Sequence, residues 1–419
     1  MKLTNIFRGD RIIWVLFLLF SIVSLVEVYS TIGLEASKFA SRTPTEFFLR
    51  HMLFVACAWV AAIVLARVNY RLFSRFAVLA LWVSVVLLIL LLALKFANHQ
   101  SVAKSGGRWL PLPLVGQFQP SEVAKVALVL FVARLLAVKK EGIDSVPSFI
   151  QLLFPIVLIA SLVLPTNFST AALIAISCYL MLYFGGVNRK WWWRIFFIGL
   201  FAAGAFLAVS YFRYERSRTA SSQPQTEQQL LERAETWGHR VYSWVNPNPD
   251  EMSQENMARM AIARGGLLGV GPGNTVHARL MTQAHSDFIY AIIIEELGMA
   301  GGIGVFLLYS FLFFRCMRVA RRCPGRFGAL TVAGLGTMVY IQALTNMSVA
   351  VGVLPVTGQT LPFISYGGTA YLLLGCALGI IQSVAADSEA SASNTPDNPA
   401  DNPPSLATDV SAPVHPDGQ

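Results

Sequence analysis

Apolar positions along this chain form long unbroken runs. They show neither the alternation of half-buried strands nor the one-sided stripe of surface helices. Runs at 12–32, 51–67, 73–95, 122–138, 193–212, 288–314, 327–347 and 363–385 each reach the roughly 17 to 25 residues that a helix needs to cross a bilayer. The stretch 149–187 holds two more, divided by the polar turn Pro165-Thr166-Asn167. Backbone polar groups in lipid must be satisfied within the segment, so such runs are helices. The pattern predicts an all-α polytopic membrane protein of about ten transmembrane helices.

Two segments depart from it. Residues 213–286 form a large outer loop that carries Arg213, Arg216 and Arg218, with amphipathic helical readings around 228–245 and 252–264. From Asp387 to Gln419 there are six acidic residues, no Lys or Arg, and many Pro, Ala, Ser and Asn. That composition buries too little apolar surface to offset ordering entropy, which predicts a disordered cytoplasmic tether after a membrane domain of residues 1–386.

Composition agrees with the pattern: 55% of residues are hydrophobic and 13% charged, against about 25% charged in soluble domains. The +9 charge raises the question of nucleic acid. Arginines and lysines, however, cluster at Lys2/Arg8/Arg11, Arg67/Arg71/Arg75, Arg134/Lys139/Lys140, Arg189/Lys190/Arg194 and Arg315/Arg318/Arg321/Arg322/Arg326, at alternate helix ends. Loops kept in the cytoplasm carry such an excess. Both termini are therefore predicted to be cytoplasmic, with 33–50, 96–121, 213–286 and 348–362 facing outward, and the charge needs no nucleic acid. The first apolar run is long enough to span and is followed by no small-residue cleavage pattern, so it is read as a retained helix. Cys57, Cys178, Cys316, Cys323 and Cys376 lie in spans or on the cytoplasmic side, which indicates neither a disulfide framework nor a metal cluster.

Polar residues that bear chemistry gather on the predicted outer face. Asp287 stands where polar sequence gives way to the apolar run from Phe288, wet enough to ionise and close enough to lipid to meet a membrane-anchored substrate. A helix N-cap is the plain alternative for this aspartate. Gly106-Gly107-Arg108-Trp109 joins flexible backbone to a fork of N–H donors and an interfacial aromatic; Arg108 and Trp109 read equally as a headgroup-level anchor. Gln119-Pro120-Ser121-Glu122 reads as a helix start, with Glu122 and Lys125 on one face. This is either an intrahelical ion pair or a functional pair, since Lys125 lies inside an apolar run.

Leu354 to Thr369 breaks the backbone at membrane depth, which is tolerated where it is buried in protein or lines a wet cavity. Ser365 and the amides around Gly367 and Gly368 are the candidate ligand donors there, against a re-entrant structural turn. The glycines from Gly265 to Gly273 lack the preceding strand and following Lys-Ser/Thr of a phosphate cradle and read as a shaped turn.

Together, Gly107-Arg108-Trp109, Gln119-Pro120-Ser121-Glu122 with Lys125, His285-Ser286-Asp287-Phe288-Ile289 with Glu295-Glu296-Leu297-Gly298, and Pro362 with Ser365-Tyr366-Gly367-Gly368 resemble the FtsW/RodA/SpoVE family, in order, over about residues 10 to 385. The resemblance implies a ten-helix peptidoglycan glycosyltransferase of the bacterial inner membrane that polymerises lipid II beside a class B penicillin-binding protein and other division proteins. It also implies Asp287 as the catalytic carboxylate and places the family's basic residues at Arg108 and Lys125. Thr360-Leu361-Pro362 is more similar to the division branch, FtsW, than to the elongation branch, RodA, which implies a place at the septum. Two departures stand out: Asn167 where many relatives carry aspartate, and Thr282-Gln283 where many carry Pro-Glu.

The chemistry is consistent with one carboxylate. A glycosidase needs a second acid to protonate its leaving group, whereas a lipid diphosphate departs as an anion and calls for positive charge. Asp287 is then a general base, worth about 10²- to 10⁴-fold, and Arg108 and Lys125 supply electrostatic stabilisation. No metal motif occurs, although a divalent cation is compatible with a diphosphate. Two other classes stay open: a lipid II flippase, for which Glu295 and Glu296 would line a conduit unless they pair with another helix, and a noncatalytic division scaffold.

Overall fold

The structure is a computed structural model that describes residues 7–35, 44–97, 107–112, 116–139, 145–219, 228–246, 252–281 and 284–393. Every predicted apolar run is helical: α1 (Arg11–Glu35), α2 (Pro44–Arg67), α3 (Tyr70–Phe96), α4 (Pro120–Val138), α5 (Val146–Val163), α6 (Phe168–Phe184), α7 (Arg189–Thr219), α11 (Ile289–Arg322), α12 (Arg326–Ala350) and α13 (Thr369–Ser393). Eight of these are long and apolar enough to span a membrane. The other two are α6, which is shorter, and α4, which carries Glu122, Lys125 and Arg134 within 19 residues. The loop readings also stand as α8 (Gln228–Val245) and α9 (Gln254–Gly265), followed by a short α10 (His277–Leu280).

Helix α12 lies at the centre, packed on α11, α4 and α6. Helix α13 packs on α2, where Gly375 and Gly379 lie against the backbone of Ala58 and Ala62; small residues let helices approach closely in lipid. By contrast, α7 presents Phe197, Ile198, Leu200 and Phe201 outward, as a lipid-facing helix does.

The basic residues meet at one end of the bundle. Arg315 Nε donates to Asp10 Oδ2 at 2.6 Å, Arg134 Nη1 to Ser74 O at 2.7 Å, and Arg326 Nη2 to Gly185 O at 3.4 Å. Asp287 lies at the opposite end, near the loops that join α3 to α4, α7 to α11 and α12 to α13.

Several features differ from the sequence reading. A two-stranded antiparallel hairpin, β1 (Leu110–Leu112) with β2 (Gly116–Phe118), precedes α4; strands of three residues leave too short a pattern to read. Helix α7 continues to Thr219, past 212, and α13 begins at Thr369 rather than 363. Helix α13 also runs beyond 386 to Ser393, because the Ser-Glu-Ala-Ser-Ala-Ser stretch carries helix-favouring alanine and glutamate. The tail from 394 lies outside the described residues.

A further difference concerns the run from 288, which is not one continuous helix. At Gly298 (φ 73°, ψ −175°) the helical path breaks, leaving a short segment from Ile289 to Leu297. The glycine-rich turn lies along that break: Val270 N donates to Glu295 O at 2.9 Å, Gly271 N to Glu296 O at 2.9 Å, and Met299 N to Gly266 O at 2.9 Å.

Candidate active site

Asp287 stands in the turn that leads into α11. Its neighbour Phe288 takes the N-cap position, and no side chain caps the helix there. The capping alternative for Asp287 therefore fails. Backbone contacts instead fix the turn on three sides: Asn346 Nδ2 of α12 donates to Asp287 O at 2.9 Å, Ser365 Oγ to Ser286 O at 2.6 Å, and Tyr366 N to His285 O at 3.0 Å. None of these three contacts uses the carboxylate.

Facing it is Arg108, held half-buried just before β1 beside Trp109. Gly358 marks the meeting point: a Cβ there would lie 3.0 Å from Arg108 Nη1 and 3.6 Å from Asp287 Oδ2. The loop around Gly358 is pinned by Ser169 Oγ to Thr357 O (2.7 Å), Gln359 Nε2 to Thr170 Oγ1 (2.8 Å) and Asn346 Nδ2 to Gln359 O (2.7 Å). A second arginine enters from α8: Arg240 Nη1 donates to Val356 O at 3.1 Å, with its guanidinium 5.5 Å from the Trp237 ring.

Burial pushes the Asp287 carboxyl above its ordinary value, opposed first by Arg108, then by the Ser286 hydrogen bond, His285 and Arg240. Burial likewise lowers Arg108, with Asp287 opposing. Arg240 is lowered by burial and by Arg108, against Asp287 and Glu255. Among the described residues no three His, Cys, Asp or Glu side chains gather as a metal site. One carboxylate flanked by two guanidinium groups is, by its charge, a place for an anion.

The remaining candidates do not sit on the carboxylate. Lys125 and Glu122 form the predicted pair at 2.9 Å, with side chains 1% and 8% exposed. Lys125 Nζ also donates to Gln342 Oε1 at 2.8 Å, and Gln342 Nε2 to Thr360 O at 3.0 Å. Both charges thus lie beneath the loop and brace it. Ser365, read as a ligand donor, is buried: its hydroxyl donates to Ser286 O and accepts from Leu361 N at 2.8 Å, which makes it a turn-former. Gly367 and Gly368 lead into α13, with Gly368 beside Phe54 and Thr369 Oγ1 donating to Gln117 O at 3.3 Å.

Asn167 Oδ1 accepts from Thr170 N at 3.2 Å and caps α6, a role that an amide fills as well as a carboxylate. Glu295 does pair with another helix: its carboxylate takes Arg264 Nη1 and His277 Nδ1 at 2.9 Å, Val276 N at 3.2 Å, and Thr275 Oγ1. Glu296 accepts from Ser30 Oγ of α1.

Residues 10–390 match the family description "Cell cycle protein", which groups FtsW, RodA and SpoVE. The chain belongs to this family. A probable peptidoglycan glycosyltransferase FtsW of Aliivibrio salmonicida (strain LFI1238) is 30% identical over 348 residues, covering 81% of this chain and 79% of that protein. The peptidoglycan glycosyltransferase MrdB of Escherichia coli (strain K12) is 28% identical over 346 residues, covering 79% and 83%. A solved chain, described under the structural coordination of polymerization and crosslinking by a peptidoglycan synthase complex, shares the fold with a TM-score of 0.68 at 23% identity, over 91% of this chain and 98% of that one. The Asp287 turn, Arg108 and the Gly358 loop all lie within the span that matches the FtsW/RodA/SpoVE family.

Proposed function

We propose that this family member is a peptidoglycan glycosyltransferase that polymerises lipid II at the outer face of the bacterial cytoplasmic membrane, with Asp287 as general base and Arg108 as the cation that receives the leaving group. One observation carries the reading. Asp287 is fixed through its backbone, so its half-buried carboxylate needs to cap nothing, and it faces an arginine across a glycine that keeps the space between them open.

The acceptor sugar hydroxyl gives its proton to the Asp287 carboxylate as its oxygen bonds to the donor's anomeric carbon. The bond from that carbon to the diphosphate oxygen breaks, and the lipid diphosphate leaves as an anion toward Arg108. A carboxyl raised by burial is a stronger base than a solvated one, consistent with a contribution of about 10²- to 10⁴-fold. Glu122 and Lys125 act as positioning residues through Gln342 and the Thr360 carbonyl. Trp109, Gly367 and Gly368 line the approach of the substrate on the hairpin side.

The gathering of Arg134, Arg315 and Arg326 at the end remote from Asp287 supports cytoplasmic termini and an outward-facing site. Membership of this family supports a class B penicillin-binding protein as partner. Thr360-Leu361-Pro362 favours the division branch and a septal location with other division proteins. A flippase needs polar groups along an open path, but Glu295 and Glu296 are buried and engaged by α9, the turn after it and α1, which favours polymerisation over lipid transfer.

The test is Asp287→Asn, which keeps size and polarity and removes the base. Purified with its partner and given lipid II, the variant should form no glycan on gels while remaining folded and partner-bound. Long glycans from the Asn variant would remove Asp287 from the mechanism; lipid transfer across vesicles without any polymer from wild type would favour the flippase.

A further inference from the structure

Arg240 lies about 50 residues before Asp287 in the sequence, on a loop helix whose pattern marks it only as a polar-face residue. The fold nevertheless brings it to the same loop that separates Asp287 from Arg108. Its Nη1 donates to Val356 O at 3.1 Å, two residues before Gly358. The Trp237 ring, itself edge-on to Phe168 at 4.8 Å, flanks the guanidinium at 5.5 Å. Trp244 Nε1, one turn further along α8, donates to Gly352 O at 3.0 Å and fastens the helix to the same segment.

A guanidinium has five N–H donors in a fixed fork, and Val356 takes one. The neighbouring charges are Arg108, Asp287 and Glu255. Arg108 and Arg240, which flank Asp287, repel each other, and a half-buried pair of cations is stabilised by an anion that bonds to both. A diphosphate carries two phosphoryl groups, each able to take a bidentate arginine.

We propose that Arg240 is a second diphosphate-binding residue of this site, engaging one phosphoryl group of the lipid-linked substrate while Arg108 engages the other. The assignment rests on the site being the one where lipid II is polymerised, and it makes the outer loop helix part of the active site.

The experiment compares Arg240→Gln, Arg240→Lys and Trp244→Phe in the full-length protein with its partner. Trp244→Phe removes the other α8 fastening and keeps the charge. The readouts are kcat/KM for lipid II and inhibition by added undecaprenyl diphosphate. A hydrogen bond to a charged group is worth roughly 1.5–3 kcal/mol, so Arg240→Gln should lower kcat/KM about 10- to 100-fold and weaken inhibition by the lipid diphosphate about tenfold or more. Arg240→Lys should recover part of both, and Trp244→Phe should leave inhibition within about twofold.

A second signature is the acid limb of the pH profile. Arg240 holds the Asp287 carboxyl down, so Arg240→Gln should move that limb to higher pH and Arg240→Lys should not. The proposal is overturned if Trp244→Phe weakens inhibition as much as Arg240→Gln does, if the Gln variant is inhibited like wild type, or if wild type is not inhibited at all. Asp287→Asn separates the two assignments: polymer from that variant defeats the base, while its inhibition by the lipid diphosphate still reports on Arg240.

Discussion

Replacing Gly358 with alanine adds one methyl group at the point where Asp287 and Arg108 meet. The backbone there has φ +67°, and an L side chain in the left-handed region costs about 1–2 kcal/mol. The new Cβ would lie 3.6 Å from Asp287 Oδ2, an ordinary contact, but 3.0 Å from Arg108 Nη1. Since comfortable non-bonded separations begin near 3.5 Å, the arginine must retreat by roughly 0.5 Å. Misplacement by about 1 Å at a reacting centre costs on the order of 10²-fold, so Gly358→Ala should slow glycan formation roughly tenfold at saturating lipid II. Gly186→Ala separates strain from displacement, because Gly186 has φ +75° with nothing within 4 Å of its Cβ position. Both variants should lose similar thermal stability in detergent, and Gly186→Ala should keep its rate. Equal rates for the two variants would show that the space between Arg108 and Asp287 is not where chemistry happens.

Other expectations concern titration, buried charge and orientation. The base is active only when ionised and burial raises its pKa, so activity should climb with pH through a midpoint above the ordinary carboxylate range near 4; Arg108→Gln, which removes a cation that lowers it, should shift the midpoint further up, and a downward shift would contradict the pairing. Lys125→Met leaves Glu122 buried without its cation and should cost about 3–5 kcal/mol, most of it recovered in the double variant with Glu122→Gln; thermal unfolding measures both, and no recovery would mean that the pair is not coupled. In a cysteine-free background, an impermeant maleimide applied to intact cells should label a cysteine placed at exposed His239 and not one at exposed Arg321, and the reverse result would invert the orientation.

The ten helices were legible because lipid imposes one requirement on every span, and an apolar run of that length meets it without help from distant residues. Asp287 was legible as a candidate from local chemistry at a helix start, and Arg108 from its place between flexible glycines and an interfacial tryptophan. Arg240, Asn346 and Gly358 were not, since what matters in each is a contact across 50 or more residues that no periodicity encodes. Lys125 and Ser365 were legible as polar groups at depth but not in what they hold. Buried polarity announces that a partner exists without saying whether it is a ligand or, as here, Gln342 and Ser286 O. The break at Gly298 escaped because a single glycine within an apolar run is compatible with a continuous helix until the loop that lies against it is known.

That break has a genetic consequence. A Cβ at Gly265 would run into the carbonyl of Ile294, one at Gly269 into that of Glu296, and one at Gly298 into that of Leu267. In each case the obstruction is main chain, which every amino acid shares. An ordinary overpacked contact can be rescued by trimming the opposing side chain elsewhere in the gene; here no second-site change of residue can trim anything. Suppressor screens starting from Gly265→Ala, Gly269→Ala or Gly298→Ala should therefore return true revertants and no compensating substitution at Leu267, Ile294 or Glu296.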